Sequence, residues 1–497
     1  MISINTQNVI KKIPNFWNNI HFHPTDAIED AWGQRILNEV KKDHVADMVR
    51  MYTMLEDIVS MDEDGNLQYD FTLNDQRLDY MIAKGFNILL CYNFIPACLA
   101  VNPEIQFASA KNKTRYKGKM VIASRPKDYV VWEEICYRYT AHIVERYGED
   151  VVAKWYLHCF NEPDLPSYFM GELPRDEESA IKRLPEYIKL YRHFTRGVYR
   201  ASEKLTVGGP SAAMLTPFFE GFLKAAKEEE LPLDFVSIHT YGVSVRQLLE
   251  GTKPFYAENT LMKYKLYFEI VEKYFPGIKM IVDEWGASSG GFADRDRCPA
   301  LLFREGSEYA AYMGKMVAAY IRDGVSPYKM MICLSGQHEM TTDFSGFRNF
   351  FSLNFIKKPI YNAFVLMRKL GENLVTCESG DGDLSVLATQ DGAKTAIMLA
   401  YASKNFDCVL PTLFETIKLT GLSGKKTVRI WRIDDTHTNP YKLSLREGWN
   451  ENFTKEQIVL LQREATLVAE EWEIDFDVTD SFSVELINNA LVMIEVE

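Results

Sequence analysis

At 497 residues the chain has room for one barrel-sized domain and a smaller second one. Hydrophobic residues at 47% and charged residues at 25% are ordinary for a globular protein. A net charge of −13 and a pI near 5.4 argue against nucleic acid or an anionic membrane as partner.

No segment holds the ~18 consecutive apolar residues of a membrane span. The opening Met1-Ile2-Ser3-Ile4-Asn5 lacks a basic region followed by an apolar core, so no signal peptide is expected. The expected location is cytoplasmic, or periplasmic or secreted had a leader been trimmed. Cys91, Cys98, Cys136, Cys159, Cys298, Cys333, Cys377 and Cys408 form no CxxC pair. Three of them sit inside apolar runs, a dispersal that suits buried thiols in a reducing compartment. There is no HExxH, and His21-Phe22-His23 reads as a polar strand end rather than a metal pair, so no metal and no cofactor are expected.

Strand and helix patterns alternate from about residue 15 to 370. Strand candidates fall at 16–22, 46–51, 86–91, 155–160, 206–209, 235–239, 280–282 and 330–334, with amphipathic helices such as 130–147 and 184–202 between them. A helix-length connector after nearly every strand implies parallel pairing, and eight such units imply closure. After Gly371 the texture changes to short alternating runs at 384–389, 395–401, 427–433, 483–487 and 491–495, interrupted by a helical patch at 455–464. The predicted fold is α/β: a (β/α)8 TIM barrel over 14–370, then an antiparallel β-sandwich over 371–497. Residues 1–13 alternate weakly and are expected to add a strand to that sandwich. No Gly/Ser-rich linker separates the halves, which predicts rigid packing.

Two apolar runs end abruptly in a carboxylate. The first is Trp155-Tyr156-Leu157-His158-Cys159-Phe160-Asn161-Glu162-Pro163, the second Lys279-Met280-Ile281-Val282-Asp283-Glu284-Trp285-Gly286. Parallel strands covered on both faces are nearly continuous in apolar residues, and a barrel places its chemistry at their C-terminal ends. Pro163 stops the fourth strand and biases Glu162 towards an extended backbone. Two glutamates on one rim are the equipment for cleaving a glycosidic bond, one to donate a proton and one to attack. Strand alternation should send Asp283 and Glu284 to opposite sides, and Glu284 is favoured as the pocket residue. Asn161 is suited to a sugar hydroxyl, and Trp285 to stacking on a sugar ring. His239 and Tyr241 close strand six, where Tyr241 could keep Glu284 oriented and ionised. Arg50 ends strand two and needs a carboxylate mate. Asn93, with Tyr92 and Phe94, falls where a pocket wall would be, although plain packing is the better account of the two aromatics.

With these pieces in order, the chain resembles glycoside hydrolase family 39, which includes β-xylosidases and α-L-iduronidase. The resembling segments are Met48-Val49-Arg50-Met51, Phe94-Ile95-Pro96, Arg146-Tyr147-Gly148, Asn161-Glu162-Pro163-Asp164-Leu165, Val207-Gly208-Gly209-Pro210, Ile238-His239-Thr240-Tyr241 and Asp283-Glu284-Trp285. Lys357-Lys358-Pro359-Ile360-Tyr361-Asn362-Ala363-Phe364 and Arg432-Ile433-Asp434-Asp435 extend it. The resemblance implies a retaining exo-glycosidase acting on β-xylosides of short oligosaccharides, with Glu162 as acid/base and Glu284 as nucleophile. It also leaves a homo-oligomer open. The chain departs from the family at Phe160, where tryptophan is usual, at His158, near a usual glutamate, at Tyr52-Thr53, where histidine-glycine is common, and at Asp283, often threonine. These changes surround the sugar subsite and keep other glycosides open: an arabinoside, a hexoside, or a uronide, for which Arg50, Arg295 or Arg348 could supply the cation. A sugar-binding barrel without turnover is the reading from another class.

Overall fold

The structure, a computed structural model, describes residues 1–22, 28–108, 120–251, 256–291, 293–335, 340–378, 382–404 and 408–497. His23 of the histidine pair lies outside them. Eight strands close into an all-parallel barrel: Asn19–Phe22, Met48–Tyr52, Asn87–Tyr92, Tyr156–Cys159, Thr206–Ala212, Phe235–Val243, Lys279–Ser288 and Lys329–Leu334. They pair in chain order, and the eighth returns to the first. All eight predicted strands are present, but the fifth, sixth and seventh run several residues further than their apolar cores suggested.

Helices cover the barrel because their termini are specified locally. Asp128 accepts from Val130 N and Val131 N ahead of Tyr129–Tyr147, and Asp176 accepts from Ser179 N ahead of Glu177–Ala201. These two helices touch at Gly197, where a Cβ would lie 2.5 Å from Glu133 O and 2.8 Å from Cys136 Cβ. Among the described residues no helix is long and apolar enough to cross a membrane. Cys91, Cys98, Cys136, Cys159, Cys298, Cys333 and Cys408 are free thiols.

A nine-stranded sheet contains Ile2–Lys12 and eight strands between Asn373 and Val496. It is mixed rather than wholly antiparallel, because Ile2 to Asn5 run parallel to Ile417 to Thr420 while pairing antiparallel with Asn373–Glu378 on the other side. Strand alternation gives the sheet two cores. Ile397 and Leu399 join Ile4, Val428 and Ile494 in its interior. Met398 and Ala400 join Leu491 and Met493 in the barrel's own core. The barrel meets that face with helix Ser307–Arg322, where a Cβ on Gly314 would lie 2.6 Å from Leu491 Cδ1, and Lys315 Nζ donates to Asp383 O and Ala402 O at 2.7 and 2.8 Å. One continuous core therefore spans both halves.

Candidate active site

The barrel interior is built in layers by the two-residue period of its strands. Its floor is apolar: Met48, Leu89, Tyr156, Phe235, Ile281 and Met331 form one buried cluster. Two residues further along the same strands come Arg50, Cys91, His158, Ser237, Asp283 and Cys333, all essentially unexposed. An arginine at this depth requires partners, and it has them on every side. Arg50 Nη1 donates to Glu284 Oε1 at 2.7 Å, and Nη2 to Asn161 Oδ1 at 2.7 Å and to Ser211 Oγ at 3.0 Å. Nε lies 3.1 Å from Asp283 Oδ2 and 3.3 Å from His158 Nε2.

Asp283 and Glu284 both turn into this site, contrary to simple alternation. The pairing of strands six and seven runs Ile238 with Val282, then His239 with Glu284, so one residue is skipped. Asp283 keeps the inward direction set by Ile281, and the slip brings Glu284 inward as well. Trp285 is then pushed out of the barrel. It is wholly buried in the helix-facing core, edge-on to Tyr309 with ring centroids 6.3 Å apart, and does not line the cavity as a stacking wall.

Glu284 is held at both oxygens: Arg50 binds Oε1, Tyr241 Oη donates to Oε2 at 2.6 Å, and Tyr52 Oη approaches Oε1 at 3.4 Å. Burial works against its charge, but His239, His21, Arg50 and Arg348 hold the carboxyl well below the usual range. Glu162 comes from the turn after strand four, with its N–H donating to Ser211 O at 3.1 Å. Phe160, Glu162 and Ser211 all have left-handed backbones, at φ 68°, 44° and 56°. Such conformations cost ~1–3 kcal/mol each and cluster where geometry serves function. His239 joins the two glutamates: Nδ1 is 2.8 Å from Glu162 Oε1 and 3.7 Å from Glu284 Oε2. One oxygen of each glutamate lies within 4.8 Å of the other.

A cavity of about 510 Å³ opens above these groups, lined by Glu162, Glu284, Tyr52 and Tyr241 together with Tyr168, Arg175, Lys263, Cys333 and Arg348. Two other clefts, about 750 Å³ at the N-terminal face of the barrel and about 560 Å³ on the nine-stranded sheet, contain neither glutamate. Asn161 and Arg50 lie beneath the cavity as partners of each other. Asn93 does not line it either: it is fully buried, and its main chain braces strand two through Thr53 Oγ1, at 2.8 Å to its carbonyl and 3.1 Å from its N–H. Of the three candidate cations, Arg348 faces the cavity, Arg50 sits below it, and Arg295 pairs instead with Glu451.

Sequence reasoning missed Tyr168 and Ser211, and it took His21 only as a polar strand end and His158 only as a departure from the family pattern. Tyr168 is the aromatic wall, stacked on Phe94 at 5.5 Å with an interplanar angle of 10°. It lies in the loop after Glu162, which Arg183 pins by donating to Phe169 O, Leu173 O and Pro174 O at 2.9, 2.7 and 3.1 Å. Asp164 ties the next loop down, accepting from Ala213 N and Met214 N at 3.0 and 2.9 Å. Burial raises its carboxyl to about 6 in spite of those bonds. Glu162, His239 and Glu284, or His21, Glu284 and Cys333, are close enough to surround a cation. Arg50 already supplies positive charge against Glu284, so neither group needs one for balance.

A closed parallel barrel with two glutamates meeting over a buried arginine at its C-terminal rim defines a barrel glycoside hydrolase. Comparison with known proteins narrows this class. The model of glycosyl hydrolases family 39 matches residues 1–477, and the chain belongs to that family. A β-xylosidase of Caldicellulosiruptor saccharolyticus is 23% identical over all of this chain and 98% of its own length. One from Geobacillus stearothermophilus is 24% identical, covering 90% of this chain and 86% of its own. Among solved structures, a monomeric β-xylosidase from Caulobacter crescentus CB15 superposes with a TM-score of 0.81 at 21% identity, covering 100% and 99% of the two chains.

Proposed function

We propose that the chain is a retaining exo-glycosidase that releases β-linked xylose from short oligosaccharides, with Glu162 as acid/base and Glu284 as nucleophile. The observation that carries this is the spacing of the two carboxylates. Oxygens within 4.8 Å match the ~5–5.5 Å of retaining enzymes, whereas inversion needs a gap of ~6.5–9.5 Å to admit a water. Glu284, ionised and held by Arg50 and Tyr241, attacks the anomeric carbon while Glu162 protonates the leaving oxygen. Glu162 then deprotonates the water that cleaves the glycosyl-enzyme. The cavity of about 510 Å³ that both glutamates line takes the terminal sugar. The curated relatives of comparable length support xylose as that sugar. Buried free thiols at Cys91, Cys136, Cys159, Cys298 and Cys333 support a reducing compartment, and a single chain supplies every group named in the site.

A second reading has one specific observation behind it. Arg348 is nearly buried at the cavity wall, its Nη1 has no hydrogen-bond partner among the described residues, and Arg175 and Lys263 line the same space. These cations suit a uronic acid. A panel of nitrophenyl glycosides separates the readings: turnover greatest on the β-xyloside supports the first, turnover greatest on a uronide the second. Turnover of either that survives Glu162→Gln and Glu284→Gln unchanged contradicts the assignment of both glutamates.

A further inference from the structure

Ser211 is fully buried, yet it occupies the centre of the polar layer. Its Oγ donates to Asp283 Oδ2 at 2.6 Å and accepts from Arg50 Nη2 at 3.0 Å. A hydroxyl has one proton to give, and this one is committed. The 3.0 Å contact between Ser211 Oγ and His239 Nε2 is therefore a donation from the ring, which fixes a hydrogen on Nε2. Nδ1 is left as the nitrogen that titrates, and it faces Glu162 Oε1 at 2.8 Å. The pair shares a proton: on His239 it makes an ion pair, on Glu162 a neutral one.

The groups around the ring decide between these states. Glu284 Oε2 lies 3.7 Å from Nδ1, and Asp283 Oδ2 lies 3.6 Å from Nε2. Arg50 binds both of these carboxylates from the far side, and the Tyr241 ring meets the imidazole edge-on. His158, 4.0 Å from Asp283, carries no charge, because burial and Arg50 push it down to about 3. Burial pushes His239 down as well, but Glu284 and Asp283 raise it to about 10. Glu284 gives up its charge once it is bonded to a sugar. Asp283 keeps its charge throughout.

We propose that Asp283, acting through the Ser211 hydroxyl, is a positioning residue that keeps the proton shared by His239 and Glu162 on His239, and so sets the upper end of the working pH range. The proposal rests on the reading of Glu162 as acid/base. The form that reacts holds two protons, one on His239 Nδ1 and one on Glu162: in the first half-reaction the bond from the anomeric carbon to the leaving oxygen breaks, its electron pair stays on that oxygen, and the proton on Glu162 joins it. The carboxylate left behind accepts from an N–H already in place.

The test is the pH dependence of kcat/KM for Asp283→Asn and Ser211→Ala on an aryl glycoside with a poor leaving group. Without the Asp283 charge the shared proton passes to Glu162, and the alkaline limb moves up by about one pH unit or more. Ser211→Ala moves it the same way by less. A direct field effect predicts the opposite, since removing a nearby anion lowers a carboxyl's pKa. An unmoved or lowered limb in both variants overturns the proposal. If Asp283→Asn does not fold, Ser211→Ala and the nitrogen NMR of His239 in the unaltered protein decide. An imidazolium at neutral pH is expected there, and a neutral ring contradicts the proposal. A dinitrophenyl glycoside needs no proton and serves as control: if its alkaline limb matches that of the poor substrate, the Glu162 assignment fails rather than the relay.

Discussion

Replacing Arg50 with methionine is the most direct perturbation of the site's electrostatics. The guanidinium is wholly buried and lies 3.1 Å from Asp283 and 2.7 Å from Glu284. Removing it leaves two buried carboxylates facing His239, with His21 and Arg348 as further cations beside Glu284 alone. Breaking a buried ion pair by deleting one partner costs ~3–5 kcal/mol, because the survivor cannot be solvated. The loss should depend on pH, with a sign that follows from linkage. Asp283 and Glu284 are both held below the usual range in the folded protein. Their contribution is present above the unfolded carboxylate range of ~4 and lost as pH falls through the folded values. The variant lacks most of that contribution, so the gap between the two proteins is widest near neutrality and narrows below pH ~4. Urea unfolding at pH 7 and in acid measures both. Asp283→Asn in the Arg50→Met background should recover part of the loss, since one stranded charge is gone. A cost of less than about 1 kcal/mol at pH 7, or no dependence on pH, would show that Arg50 does not sustain the two buried charges.

Further outcomes follow from the same geometry. Glu162→Ala should lose ~10²–10⁴ in kcat on a poor leaving group and far less on a dinitrophenyl glycoside, because general acid catalysis is worth that much and the better leaving group does not need it. Steady-state kinetics on the two substrates checks this. Glu284→Gly should be inactive alone and partly restored by azide or formate, giving a product of inverted anomeric configuration by NMR. Away from the site, Gly314→Val should destabilise the protein by ~1–3 kcal/mol through overpacking against Leu491 and Ala400, and denaturant unfolding measures it.

The barrel was legible because a parallel strand buried on both faces writes itself as an unbroken apolar run, as in Phe86 to Cys91 and Met330 to Leu334. Strands at the margin of the sheet write a weaker signal. Leu413–Thr420 and Glu470–Asp475 are largely exposed on one side and rich in Glu, Thr and Lys, and neither stood out. The same held for Asn373–Glu378 and for helix Pro440–Arg446. At the site, Glu162 and Glu284 stood out in the sequence because each ends an apolar run, and the structure brings the two side chains together. The inward turn of Asp283 was not, since the slip between Ile238 and His239 depends on pairing with another strand and leaves no local mark. That slip also bears on Trp285, read as a sugar-stacking wall: with Glu284 turned inward its neighbour points out of the barrel, towards Tyr309. Ser211 was hidden for a related reason: its left-handed backbone, after the Gly208-Gly209-Pro210 block, turns a small residue into the hub of three polar side chains.

The central claim is that Glu284 forms a bond to the sugar while Glu162 waits beside it. Incubation with a 2-deoxy-2-fluoro glycoside of the best-cleaved sugar, followed by peptide mass spectrometry, tests this directly. The account predicts inactivation with one sugar attached to the peptide carrying Glu284. A label on any other carboxylate, or an inverted first-formed product from the unaltered enzyme, would contradict it.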